Sequence, residues 1–223
     1  MKKLIVLLLV IFITLPVFSN DIYLELNAMI KNEENVDSIV AAYNAKKADM
    51  PLVYRGRIES SIGGVYIGLD QEAKAIEYLD IASATQASIK PSTVESEVLF
   101  AQIGLKHYEI DGSLSKGLKS SNLIKNLYKK NKDLPLLKIA EATRLFTLPG
   151  IAGGSVKKSL AIYVDSLKIA NEFPLDVRFE LYAGISEVYQ SKKDKKNALK
   201  YALLAKEIYP NNSEINQRIS DCK

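Results

Sequence analysis

The stretch Phe179–Asn212, FELYAGISEVYQSKKDKKNALKYALLAKEIYPNN, constrains the fold more than any other, because it reads as two helices joined by a charged turn. Tyr182, Ile185 and Tyr189 fall on one face of the first helix, and Ala198, Ala202 and Ala205 on one face of the second. Pro210 closes the unit. The pattern recurs upstream. Ile62-Gly63-x-x-Tyr66 matches Ile185-Ser186-x-x-Tyr189, and Ala75, Leu79 and Ala82 match the three alanines. In both units the aliphatic residue precedes the first small one by 13 residues. A shared offset across two helices is a register, which a single alanine-rich helix cannot supply.

Extending that register along the chain predicts a pair of short helices over Asp21–Ile30 and Val36–Lys47, then a helix over Leu52–Leu69 and its partner carrying Ala75 to Ala82. Pro51 suits the first turn of the third helix. Thr93–Tyr108 and Leu114–Lys130 form the next pair, with the small residues Gly104, Gly117 and Ser121 at the contact positions. Pro135–Leu148 opens a fourth pair whose second helix places Ser159, Tyr163 and Ser166 inward and runs an extra turn to Asn171 or Glu172. Ser213–Asp221 is a closing helix. The expectation is an all-α chain in which no pair has enough core to stand alone, so that neighbours must stack.

The small residue one turn before an aromatic, the alanines of the second helix and the closing proline resemble the tetratricopeptide repeat (TPR) family. The resemblance implies a solenoid of about five helix–turn–helix pairs plus a C-terminal capping helix, spanning residues 20–223. It also implies a concave face lined by the first helix of each pair. By register that face carries Arg57, Ser60, Ile67, Ala101, Ala183, Glu187 and Gln190.

The fourth pair has an unusually long turn, Thr147-Leu-Pro-Gly-Ile-Ala-Gly-Gly-Ser155, which departs from the register by about five residues. Pro149-Gly150 and Gly153-Gly154 permit unusual backbone angles, and Ser155 can cap the next helix, where free N–H groups favour an anion. One reading is an elongated turn that packs Ile151 against its neighbours. The other is a ligand site at Pro149, Gly150, Gly153, Gly154 and Ser155. The segment loosely resembles an insertion in exported repeat proteins, among them the T component associated with TRAP-type transporters. That resemblance implies a role in handling a small, often apolar, organic ligand.

Lys2 and Lys3, the apolar run Leu4–Leu15, and Val17 and Ser19 at the −3 and −1 positions read as a signal peptide over residues 1–19, cleaved near Ser19. The product is then periplasmic or envelope-associated; the same run would also serve as an uncleaved anchor. The single cysteine, Cys222, rules out an internal disulfide and reads as a frayed-end thiol, so packing alone holds the fold.

Little in the chain supports catalysis or a cofactor. The one histidine, His107, sits where the register calls for an inward ring, and no HExxH, CxxC or phosphate-loop pattern occurs. The lysine-rich stretches Lys116–Lys132 and Lys192–Lys200 lack the interleaved aromatics of a single-strand nucleic-acid surface. Charge is unevenly divided, with 8 Lys+Arg against 15 Asp+Glu in residues 20–113 and 20 against 11 in residues 114–223. Such asymmetry admits head-to-tail self-association. The leading expectation is a non-enzymatic scaffold or adaptor that binds protein partners in the envelope. The alternative is a small-ligand-binding accessory of a TRAP-like transport system, taking an apolar or anionic molecule.

Overall fold

The computed structural model describes residues 21–223, so the signal-peptide reading of residues 1–19 lies outside the described residues. Everything regular within them is helical, without a strand. Helix α1 covers residues 21–31. It is followed by α2 (Val36–Lys46), α3 (Leu52–Gly68), α4 (Glu72–Ala87), α5 (Val94–Asp111), α6 (Leu114–Lys130), α7 (Pro135–Thr147), α8 (Val156–Ser166), α9 (Leu175–Ser191), α10 (Lys195–Ile208) and α11 (Ser213–Cys222). The extra turn after α8 is a 3-10 segment, Leu167–Glu172, kinked at Ile169. The chain divides into two compact units, one holding the described residues up to Ile30 together with Glu34–Leu99, the other Lys31–Glu33 with Phe100–Lys223.

The pairs meet through the small residues that the register picks out. In the first unit a Cβ on Gly63 would stand 3.0 Å from the Leu79 side chain and 3.3 Å from the Ala75 carbonyl, so α3 and α4 touch nearly backbone to backbone. In the second unit a Cβ on Gly104 would fall 2.2 Å from Ser120 Oγ. The α6 contact is therefore Ser120, one residue before the Ser121 expected there, although Ser121 is also buried. Elsewhere a serine hydroxyl takes the space and bonds across the pair. Ser159 Oγ on α8 donates to the Ala142 carbonyl on α7 at 2.7 Å, and Ser186 Oγ on α9 donates to the Ala198 carbonyl on α10 at 2.8 Å. Ala75, Ala82, Ala198, Ala202 and Ala205 are wholly buried.

The turns inside the five pairs share a device that composition hides. Each carries one residue in the left-handed region: Glu33, Asp70, Gly112, Gly153 and Lys193. In four of them the next amide reaches back five residues to a carbonyl: Glu34 to Met29 (3.0 Å), Gln71 to Tyr66 (2.9 Å), Gly154 to Pro149 (3.1 Å) and Asp194 to Tyr189 (2.9 Å). At Met29, Tyr66 and Tyr189 this bond satisfies a carbonyl left over at a helix end as the chain reverses. Side-chain caps then start the second helices, with Asn35, Ser155 and Asp194 accepting from backbone amides of α2, α8 and α10.

Each unit has its own apolar interior. Leu26, Ile39, Ile58, Ile62, Leu79 and Val98 fill the first. Ala142, Tyr163, Phe173, Leu181, Ile185 and Val188 centre the second. Polar groups enter both cores with partners. In the first unit Tyr43 Oη donates to buried Glu59. In the second, Glu141 and Arg144 form a buried two-pronged ion pair along α7, at 2.6 and 2.7 Å.

Two local expectations are corrected. Ile151 packs against nothing and is fully exposed, because the inserted turn closes on itself. Cys222 is buried within the last turn of α11 and is not a frayed end.

Candidate interaction cleft

In the second unit a cleft of about 150 Å³ is lined by Thr143 of α7, Tyr163 of α8, a stripe of α9, the start of α11 and Lys31. The α9 stripe is Phe179, Glu180, Ala183, Gly184 and Glu187, the i, i+3, i+4, i+7 spacing of one helix face. A contact between backbone and ring shapes its floor. A Cβ on Gly184 would stand 2.4 Å from Tyr163 Oη and 2.5 Å from its Cζ, so only glycine lets this ring lie against α9. Tyr163 is buried, and its hydroxyl pairs with Thr143 Oγ1 at 2.9 Å. Burial pushes the phenol well above its ordinary range, with the Thr143 bond opposing the rise.

The charged lining is mostly self-satisfied. Arg218 is buried, donates Nη1 to the Ala183 carbonyl at 2.6 Å and pairs through Nη2 with Glu214 one turn earlier. Lys31 pairs with Glu180 and lies 5.4 Å from the centre of the Phe179 ring. Backbone and side-chain bonds hold Lys31 there: Asn212 Nδ2 donates to its carbonyl at 2.9 Å, and Asn211 N donates to Asn32 Oδ1 at 3.1 Å. Glu33 accepts from Ser213 N and Oγ at the start of α11, where a carboxylate is favoured. Lys106 of α5 feels the same charges. Burial and the Lys31 charge push its amine down to about 8, with Glu109 and Glu180 opposing.

Glu187 is different. It is exposed and makes neither hydrogen bond nor ion pair among the described residues. Loss of hydration beside α11 raises its carboxyl above the ordinary value, Glu214 and Glu180 add to the rise, and Arg218 opposes it.

The residues singled out from the sequence scatter over both units. Ala183 and Glu187 line the cleft, while Gln190 lies one turn beyond them on α9 and donates to Asp221 of α11 at 3.4 Å. Ser60 and Ala101 are buried, which removes them from any surface. Arg57 stands 4.8 Å from the Tyr23 ring centre within the first unit, and Ile67 is half-buried on α3. The insertion contributes nothing to the cleft lining. Pro149, Gly150 and Gly153 are exposed, and Gly153 takes φ +89°. Gly154 is tightly enclosed, since a Cβ would meet the Leu148 carbonyl oxygen at 1.7 Å. Ser155 caps α8 by accepting from Lys158 N at 3.3 Å.

Sequence reasoning missed Lys31, Thr143, Tyr163, Phe179, Glu180, Gly184, Asn212, Glu214, Ile215 and Arg218 of the lining. The α9 spacing from Glu180 to Glu187 was the available signal for part of it. The contribution of residue 31 was not, because more than a hundred residues separate it from Glu180.

Among the described residues, no group of three or more His, Cys, Asp or Glu side chains is placed to hold a metal, and no helix is long and apolar enough to cross a membrane. No known family model matches the chain, and neither a curated protein nor a solved structure shows a match to it.

Proposed function

We propose that the chain is an exported, TPR-like solenoid that works without catalysis, as a scaffold or adaptor binding protein partners in the cell envelope. The observation that carries this reading is the make-up of the cleft: α7 and α9, successive first helices of the register, line it together with the closing helix α11, Tyr163 of α8 and Lys31. First helices forming one continuous surface is what a repeat array offers a partner. The recurring turn, with one left-handed residue in each pair, supports the repeat reading independently of the small-residue pattern.

The cleft suits a side chain better than a free organic molecule. Its volume of about 150 Å³ is well below the roughly 300–1,000 Å³ of pockets that enclose drug-sized ligands. Its lining is charged, with three glutamates against one lysine and one arginine, which disfavours an apolar or anionic guest. The transporter-accessory reading is the weaker one on both counts.

A photo-crosslinking residue in place of Gln190, expressed in cells that export the protein, tests the adaptor reading. Covalent capture of a defined protein at Gln190, and not from Lys196 on α10, is the expected result. Equal labelling from both positions would remove the basis for assigning partners to the first-helix surface.

A further inference from the structure

We propose that the cleft accepts a lysine side chain of the partner, its ammonium seated on the Glu187 carboxylate; this deepens the adaptor reading and rests on it. The inference follows from what the cleft still offers once its own groups are paired. Both cations of the lining are engaged, Lys31 with Glu180 and Arg218 with Glu214 and the Ala183 carbonyl. Three carboxylates line the space against two cations, and Glu187 is the one of the three without an ion pair. The Tyr163–Thr143 hydrogen bond uses one of the pair's two O–H protons and leaves lone pairs on both oxygens. The Glu187 carboxylate and these lone pairs are acceptors that these pairings leave unfilled. A guest that fills them brings donors, and an alkylammonium brings three and no acceptor.

Size and shape agree with a side chain. The cleft holds the volume of about five waters, at roughly 30 Å³ each, enough for an aliphatic stem with its head group. The Tyr163 and Phe179 rings and Ile215 provide apolar surface for the stem. Arg218, fixed by two partners, keeps the wall beside Ala183 in place. A partner's lysine thus meets a carboxylate that has no ion pair of its own.

The test uses the mature protein with labelled glutamate carboxyls, observed by NMR while capped peptides are added. The probes are Ac-Ala-Lys-Ala-NH2, the same peptide with norleucine, and free 1,5-diaminopentane. The expected result is a saturable shift of the Glu187 carboxyl resonance with the lysine peptide and none with the norleucine peptide. Glu187→Gln should weaken lysine-peptide binding, followed through the Tyr163 ring signals, by roughly 10–100-fold, as expected for one charge-assisted hydrogen bond. A norleucine response equal to the lysine response, or unchanged binding by Glu187→Gln, would overturn the proposal. Tighter binding of the free diamine than of the peptide would also overturn it, by assigning the cleft to a soluble amine. A partner captured at Gln190 alongside a cleft indifferent to lysine would sink this inference alone. A lysine response with no partner captured would sink the adaptor reading instead.

Discussion

Replacing Gly184 by alanine isolates the contact that shapes the cleft. The new Cβ would stand 2.4 Å from Tyr163 Oη, 2.5 Å from Cζ and 3.0 Å from Cε1. The ring has little room to retreat, because Tyr163 is buried in the core of the second unit. Overpacking of this kind costs about 1–3 kcal/mol. Moving the hydroxyl off Thr143 forfeits a further ~0.5–1.5 kcal/mol. Against these stands the helix preference for alanine over glycine, about 1 kcal/mol in a helix interior. The net expectation is a loss of about 1–3 kcal/mol, or a melting temperature lower by roughly 2–12 °C for a chain of this size. Urea unfolding followed by circular dichroism measures it. Two companions make the result interpretable. Gly68→Ala, at the end of α3 with nothing within 4 Å, carries the same helix preference without the clash and should be neutral or stabilising. In a Tyr163→Leu background the Gly184→Ala change should cost nothing, giving a coupling of ~1 kcal/mol or more between two touching sites. If Gly184→Ala were as benign as Gly68→Ala, the close approach of Tyr163 to α9 would not exist and the cleft floor would have to be redrawn.

Lys193→Gly should raise the melting temperature: a left-handed residue with a Cβ costs about 1–2 kcal/mol, of which glycine's added unfolded-state freedom returns only ~0.4–1 kcal/mol. Lys193→Ala, which keeps the Cβ, should show no such gain in the same melting assay. Arg144→Met should destabilise by roughly 3–5 kcal/mol because it strands buried Glu141, whereas Glu141→Leu with Arg144→Met should recover most of the loss. A single variant no worse than the double, by urea midpoint, would contradict this. Glu187→Gln should stabilise modestly at neutral pH. Loss of hydration, with Glu214 and Glu180 adding and Arg218 opposing, raises the folded carboxyl above its unfolded value, so the stability its protonated form contributes is present at low pH and lost as pH rises through the folded value. The advantage of the glutamine variant should therefore shrink below about pH 4, checked by melting both proteins across pH.

The helix pairs were legible because their contacts are made by residue size, which sequence displays directly. Gly63, Gly104, Ser186 and the alanines of α4 and α10 recur at fixed offsets, and each does in space what its smallness requires. The turns were not legible in the same way. Five positions share a left-handed backbone, yet only Gly112 and Gly153 advertise it; Glu33, Asp70 and Lys193 are held there by the bond that closes the turn. At the Leu148–Ser155 departure the glycines have visible backbone roles: Gly153 serves the left-handed turn found in every pair, and Gly154 makes room for the Leu148 carbonyl. The glycine that shapes the cleft floor is Gly184, which lies in mid-helix with no turn nearby. What it permits is visible only from the far side of the pair, where Tyr163 of the preceding second helix passes over it to reach Thr143. A departure in sequence register marks where the backbone must bend. The cleft arises where the register holds and one side chain has been withdrawn to admit another, and Glu187 stands on the same face without an ion pair of its own.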